Sequence, residues 1–202
     1  FQPQSEAGRY LAPAVTRPGP LTFAPFHAQH ERRSAVYFKL LDTTGWQESL
    51  AARRAETDAL ERLNAHAVDR IQLGDEPSEK AHGLRSESSY SVSYRRRSGR
   101  DARTGGYVEF DLRSAPGPLS LRLRYWGAEY RRRFRILAND QPVANEVLDG
   151  NRGNKFVDVD YPIPATALTG KTLRIRIEPE KGYSAGPVFG CWLLPTSTLQ
   201  AG

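Results

Sequence analysis

Apolar and polar residues alternate in short runs along the chain from Val68 onward, and Gly, Pro and Asn-Asp pairs separate the runs. A period of two places apolar side chains on one face of a β-strand and polar side chains on the other. Such runs occupy residues 90–94, 108–112, 119–125, 134–136, 157–161, 173–177 and 188–194, the last being apolar on both faces as in a central strand. Seven or eight short antiparallel strands predict a mainly β fold, and connections of about 8 to 15 residues favour a jelly-roll β-sandwich.

One amphipathic surface helix is predicted before the strands. Residues 46–66 are rich in Ala, Leu, Glu and Arg, and Thr44 with Gln47 has the spacing of a capping box. A narrow apolar stripe predicts that the helix lies across a sheet, while a coiled-coil partner helix is the alternative. The stripe consists of Leu50, Thr57, Leu60, Leu63 and Ala67.

Three segments are therefore expected. Residues 1–43 form an extended, proline-containing lead and the remnant strands of a preceding β domain, 44–69 the helix and a linker, and 70–202 the sandwich. The chain has no Met and begins at Phe1, which indicates a processed product or a fragment of a longer protein. No apolar run approaches the roughly 20 residues of a membrane span, so no membrane partner is expected.

The net charge of +6 comes from 24 Arg and 5 Lys against 23 acidic residues. Arginine clusters occur at residues 95–103 and 131–135, which is the composition of a phosphate-binding surface. On the predicted strands, however, Arg122, Arg124 and other arginines occupy every second position, as Asp158 and Asp160 do elsewhere. We expect cross-strand ion pairs on solvated faces rather than nucleic-acid binding, with an acidic polysaccharide or a neighbouring domain as alternatives.

Several short motifs follow one another in a fixed order. Pro25-Phe26, His30 and Arg33 precede an apolar run, and an acidic segment at residues 74–82 ends in His82. Further motifs lie at residues 99–112, 133–140 and 182–190. From the first to the last, these short, scattered motifs extend over about 170 of the 202 residues. The order resembles the C-terminal, non-catalytic region of bacterial proteins in and around glycoside hydrolase family 127, the β-L-arabinofuranosidase-like enzymes.

The resemblance implies a helix followed by a β-sandwich that belongs to a sugar-processing enzyme. The catalytic domain of that family uses a cysteine nucleophile in a zinc site of several Cys and a Glu, whereas this chain has only Cys191, within an apolar run. We therefore predict no enzyme activity, no cofactor and no metal. The predicted role is an accessory domain that binds carbohydrate, or else a purely structural module that buttresses a catalytic barrel.

The predicted ligand-binding residues are His82, Arg100, Trp126 and Tyr183. A sugar presents C–H patches that stack on aromatic rings and hydroxyls that bond to planar polar groups. Alternation places Trp126 on the polar face of its strand, where docking against a missing catalytic domain is the alternative role. Trp192 is expected in the core, and Glu79 in an exposed linker. We expect a plant-type carbohydrate partner and a periplasmic or extracellular bacterial location.

Overall fold

The structure, a computed structural model, describes residues 42–199. The predicted strands within residues 21–41 therefore lie outside the described residues. The chain divides into two compact units, residues 1–49 and 50–202. The helix α1, Thr43–His66, crosses the boundary between them. The predicted limits of the three segments, at residues 43/44 and 69/70, stay predictions.

Within residues 50–199, nine strands form two antiparallel sheets, which confirms the predicted mainly β sandwich. A four-stranded sheet has the order β1-β9-β4-β7 and a five-stranded sheet the order β2-β3-β8-β5-β6. The bounds in the four-stranded sheet are Asp69–Ile71 (β1), Leu119–Trp126 (β4), Phe156–Pro162 (β7) and Cys191–Pro195 (β9). Those in the five-stranded sheet are Arg85–Tyr94 (β2), Arg97–Arg113 (β3), Arg132–Ala138 (β5), Gln141–Leu148 (β6) and Thr172–Pro179 (β8).

The core lies between the sheets and follows the predicted alternation. On β4, Leu121, Leu123 and Tyr125 are fully buried, as are Phe110 on β3 and Ile175 on β8. A 3₁₀ helix, Ala165–Ala167, and a short α3, Thr196–Leu199, complete the described elements. Cys191 is buried in this core, and burial raises the pKa of its thiol well above the ordinary value. The side chain thus packs as a small buried hydrophobe, in keeping with the apolar run around it.

The helix α1 begins one residue earlier than predicted because another residue caps it. Oδ1 of Asp42 accepts the backbone N–H of Gly45 at 2.7 Å, so Asp42 rather than Thr44 is the cap. At the other end, Asn64 accepts the indole N–H of Trp192 on β9 at 2.8 Å. Trp192 is buried, as predicted, but it lies on the outer face of the four-stranded sheet beneath α1 rather than between the two sheets.

The acidic segment before β2 is a helix rather than a linker. Asp75 accepts the N–H of Ser78 and caps α2, Glu76–Ala81, with Pro77 in its first turn. Glu79 is 6 % exposed, not solvated as predicted. Its carboxylate accepts hydrogen bonds from Nε and Nη2 of Arg100 at 2.7 and 2.6 Å. It also accepts a hydrogen bond from the backbone N–H of Gly74 at 2.6 Å. These bonds fix α2 against β3.

The 17-residue strand β3 reaches both sheets. Its C-terminal half pairs with β8, whereas Arg100 near its start pairs with Val188, just before β9. The adjacent Phe189 N–H bonds to the carbonyl of Arg124 on β4. A two-residue turn, Arg95 and Arg96 with φ of 45° and 64°, joins β2 to β3. The tip of this hairpin thereby comes to the edge of the four-stranded sheet.

Candidate functional site

The outer face of the four-stranded sheet carries a ladder of paired charges between β4 and β7. Arg122 donates Nε and Nη2 to both carboxylate oxygens of Asp160 at 2.7 and 2.8 Å. Arg124 bonds in the same way to Asp158 at 2.6 and 2.7 Å. The hydrogen bond to Asp160 raises the pKa of Arg122 above its ordinary value, so this side chain stays charged. The predicted cross-strand ion pairing is confirmed on this face.

The next rung of the ladder is aromatic. Trp126 lies opposite Phe156, with ring centroids 5.2 Å apart in an edge-to-face arrangement. Tyr94, at the tip of the β2–β3 hairpin, meets Trp126 edge to face at 5.0 Å. The guanidinium of Arg95 lies 4.6 Å from the centroid of the Trp126 ring. Trp126 is consequently 7 % exposed although it points away from the core.

A cleft of about 300 Å³ lies between this outer face and the second half of α1. We call it the outer-face cleft. Its sheet side consists of Arg97, Arg122, Arg124, Phe156 and Asp158, and its helix side of Glu56, Ala59, Leu60 and Leu63.

Arg97 joins the two sides of the outer-face cleft. Its guanidinium forms an ion pair with Glu56 on α1 and lies 5.0 Å from the centroid of the Phe156 ring. Arg124 in turn lies 4.9 Å from the ring of Trp192. The sheet side therefore presents planar cations, carboxylates and an aromatic ring next to one another, and each guanidinium is held in place by a carboxylate or a ring. Such fixed, planar polar groups beside a ring suit a neutral polyhydroxyl ligand.

The predicted site residues do not converge on one surface. His82 caps α2, with Nδ1 2.7 Å from the carbonyl of Ser78 and Nε2 3.5 Å from Asp69. Arg100 binds Glu79 on the same short helix.

Tyr183 lies in the loop between β8 and β9, where the guanidinium of Arg133 is 5.1 Å from its ring centroid. Of the predicted residues, Trp126 alone adjoins the outer-face cleft, through Phe156.

Sequence reasoning missed most of the cleft. Phe156 carried a usable signal, because it precedes the alternating run of β7 and pairs with Trp126. Ala59 carried none, since a small exposed helix residue is ordinary. The position of α1 over the charged ladder depends on contacts between residues far apart in the sequence, such as Asn64 and Trp192.

Most of the clustered arginines have partners within the chain. Arg132 binds Glu129 at 2.8 Å and Arg135 binds Glu178 at 2.8 Å. On the outer face of the five-stranded sheet, the carboxylate of Glu109 accepts hydrogen bonds from Arg85 at 2.9 Å and from Arg176 at 3.3 Å. Burial alone would raise the pKa of Glu109, but the hydrogen bonds from these arginines outweigh it, and the pKa is lowered. Much of the positive charge is thus balanced locally.

Asp101 is the exception among the paired carboxylates. It is 2 % exposed, its Oδ2 accepts the hydroxyl of Tyr90 at 3.2 Å, and its Oδ1 has no hydrogen-bond partner. Burial raises the pKa of Asp101 above its ordinary value, in spite of the opposing charge of Arg103. Burial therefore makes this carboxyl easier to protonate than a carboxyl in water.

Within residues 42–199, no three His, Cys, Asp or Glu side chains gather as a metal site would require. In the same range, no helix is long and apolar enough to cross a membrane.

Comparison with known proteins identifies the family. The model of a family described as a family of unknown function (DUF6805) matches residues 62–194, which is most of the sandwich and the end of α1. The chain belongs to this family. No curated protein matches the sequence. The finer resemblance to the family 127 region stays a prediction.

Several solved structures are similar to this chain at low identity. A family 35 carbohydrate binding module from Clostridium thermocellum is 17% identical with a TM-score of 0.44, over 63% of this chain and 97% of that one. A carbohydrate binding module from a Cellvibrio mixtus lichenase, in complex with cellotriose, is 9% identical with a TM-score of 0.46, over 64% and 98%. An exo-β-1,3-galactanase from Phanerochaete chrysosporium is 15% identical with a TM-score of 0.48, over 63% of this chain and 29% of its own length. The chain thus spans less than a third of that enzyme.

Proposed function

We propose that this member of the DUF6805 family is a non-catalytic accessory domain of a sugar-processing glycoside hydrolase and binds carbohydrate in the outer-face cleft. One observation carries the proposal. The cleft places the ring of Phe156 beside the paired side chains Arg124 and Asp158, under a wall supplied by α1. An aromatic face with neighbouring planar donors and acceptors is the combination that recognises a sugar ring.

The size of the cleft fits a small ligand. Its volume of about 300 Å³ is at the lower end of the range, roughly 300–1,000 Å³, in which ligand sites are found. One sugar unit of a longer chain would fill it, and neighbouring units would extend beyond the cleft. The wall of Leu60 and Leu63 would cover the second face of that unit.

The charges of the cleft favour a neutral sugar over an acidic one. Arg122 and Arg124 are each neutralised by a bidentate carboxylate, and Arg97 by Glu56. Each bidentate pair uses Nε and Nη2 of the arginine, which leaves Nη1 as a donor to a hydroxyl. The carboxylate oxygens keep lone pairs that accept from a second hydroxyl. A uronate would instead meet Asp158 at close range.

The resemblance of the sequence motifs supports finer proposals. The ligand would be a plant-type, arabinose-containing carbohydrate, and the domain would contact a catalytic barrel elsewhere in its parent protein. The parent would be an exported bacterial enzyme. Because the chain itself is proposed to be non-catalytic, incubation with aryl arabinofuranosides should give no turnover.

The proposal is tested with a substitution, Ala59→Trp, that fills the cleft without removing any contact. Calorimetric titration of the full chain with arabinan and galactan oligosaccharides should show binding, and Ala59→Trp should weaken it at least about tenfold. Ala65→Trp, on a different face of the same helix, is the matched control and should bind as the wild type does. Binding that survives Ala59→Trp would show that the cleft is not the site. Absence of binding to any neutral glycan would overturn the proposal.

One observation favours a second function. Each carboxylate of the ladder already accepts two hydrogen bonds from one arginine, so the charges of the outer face are balanced without a ligand. A purely structural module that buttresses a catalytic barrel would have this property. It predicts no glycan binding together with a rise in the thermal stability of a separately expressed barrel on mixing.

A further inference from the structure

Strand β2 presents an unprotected edge. The sheets end at the strands β1, β7, β2 and β6, and open edges are sites where another chain can add a strand. β1 has only three residues, β6 contains Pro142, and β7 carries Asp158 and Asp160 and ends at Pro162. Short length, proline and charge are the features that block edge pairing.

β2 lacks these features over most of its length. It has ten residues, and the stretch 88–94, Ser-Ser-Tyr-Ser-Val-Ser-Tyr, contains neither charge nor proline. Eight of the ten residues are exposed and Ser89 and Val92 are half-buried. Within residues 42–199, β3 is the only strand that pairs with it. The register of β2 shifts at Ser88, where φ is 44°, and beyond this bulge residues 89–94 form a regular, uncharged edge that can serve as a docking surface for an extended segment.

The hydrogen-bonding direction of β2 follows from its turn. Tyr94 and Arg97 flank the two-residue turn and pair directly, so they exchange the closing hydrogen bonds of the hairpin. Because such bonds alternate along an antiparallel strand, Tyr90 and Val92 also bond toward β3. The N–H and C=O groups of Ser89, Ser91 and Ser93 therefore point away from the sheet.

We propose that this edge pairs with the same edge of a second copy of the chain, antiparallel and with the two-fold axis at Ser91. In this register Ser89 lies opposite Ser93 of the partner, and the outward groups of all three serines are satisfied. Tyr90 lies opposite Val92 of the partner, an aromatic and β-branched pair that stabilises adjoining strands.

The charges at the ends of β2 select this arrangement over others. The uncharged stretch is preceded by Glu87 and followed by Arg95 and Arg96. An antiparallel pair brings the acidic end of each copy next to the basic end of the other, whereas a parallel pair would place like charges together. Self-pairing through one strand gives a small, two-fold symmetric interface, so the dimer is of the weak, reversible kind.

Sedimentation equilibrium of the full chain from micromolar to millimolar concentration tests the proposal. We expect a monomer–dimer equilibrium, and we expect Ser91→Pro and Ser91→Lys each to raise the dissociation constant at least about tenfold. Proline removes only an outward N–H, and lysine places two cations at the axis. Asn145→Lys, on the β6 edge, is the control and should leave dimerisation unchanged.

Hydrogen exchange supplies a second readout. The amides of Ser89, Ser91 and Ser93 should become more protected as concentration rises, while those of Val92 and Tyr94 should be protected throughout. If Ser91→Pro does not fold, Ser91→Lys decides. A protein that stays monomeric to millimolar concentration, or a dimer that both Ser91 variants leave intact, overturns the proposal. Glycan binding in the outer-face cleft is independent of either result.

Discussion

The indole N–H of Trp192 donates to Oδ1 of Asn64 at 2.8 Å, and this bond ties α1 to the central strand β9. Trp192 is 4 % exposed, so removal of the acceptor leaves a buried donor unpaired. We expect Asn64→Ala to lower the free energy of unfolding by about 1–2 kcal/mol. Urea denaturation followed by tryptophan fluorescence measures this. Glu61→Ala, on the solvent side of the same helix, should change it by less than about 0.5 kcal/mol.

Trp126→Ala should cost far more stability than a surface substitution. The ring is enclosed by Tyr94, Phe156 and Arg95, so truncation leaves a cavity worth about 3 kcal/mol. For a domain of this size the melting temperature should then fall by roughly 10 °C. Differential scanning calorimetry provides the measurement, with the 42 % exposed Tyr94 replaced by Ser as the milder comparison. A loss of only a few degrees would restore Trp126 as a candidate ligand-stacking residue.

The bidentate pair between Glu79 and Arg100 should be among the more costly ion pairs to break. Their side chains are 8 % and 16 % exposed, and Glu79→Gln leaves the guanidinium without its counter-charge. We expect a loss of roughly 2–3 kcal/mol. Glu178→Gln, which breaks the more exposed pair with Arg135, should cost at most about 1 kcal/mol. Equal losses in chemical denaturation would contradict the assigned role of α2 in bracing β3.

Gly99 allows β3 to approach the segment before β9. A Cβ at this position would lie 2.7 Å from the carbonyl oxygen of Val188 and 2.9 Å from the Phe189 ring. Gly99→Ala should therefore destabilise the fold by about 1–3 kcal/mol. Gly170→Ala is the matched control, because a Cβ there meets nothing within 4 Å. In thermal melts, the melting temperature of Gly99→Ala should lie at least several degrees below that of Gly170→Ala.

Asp101→Asn should stabilise the protein at neutral pH. The folded state raises the pKa of this carboxyl above 3.8, so it binds a proton more tightly than the unfolded state does. Stability contributed by Asp101 therefore falls as pH rises from about 3.8 through the folded pKa. The melting temperature of Asp101→Asn should exceed that of the wild type at pH 7, and the difference should shrink toward pH 3. A variant that melts lower at pH 7 would show that the ion pair with Arg103 outweighs burial.

The sequence predicted the strands whose alternation is regular, such as β4, where Leu121 and Leu123 face the core. It did not predict β1, which is only three residues long, or β6, in which Pro142 and mixed polarity obscure the period. It treated residues 74–82 as a linker because acidic residues dominate, although Asp75 and Pro77 mark the start of a helix. Short or irregular elements depend on tertiary contacts that a local pattern does not contain.

The candidate site was predictable only in part, and for the same reason. Alternation correctly placed Trp126 on the outer face with Arg122 and Arg124. It could not show that Tyr94, 32 residues earlier in the numbering, would cover the ring, because that contact depends on how far the β2–β3 hairpin extends. Arg97 and Glu56 likewise meet across the cleft through a contact separated by 41 positions.

The pairing of β1 with β9 governs when this fold can form during synthesis. Asp69 lies opposite Leu193, so the four-stranded sheet joins residues from the two ends of the domain. Within residues 42–199, β9 is the only strand that pairs with β1, so while the chain emerges from the ribosome β1 gains this partner only when β9 has been translated. Contacts this distant in sequence slow folding and prolong the exposure of apolar surface. We therefore expect completion of the four-stranded sheet to wait for the release of this last strand.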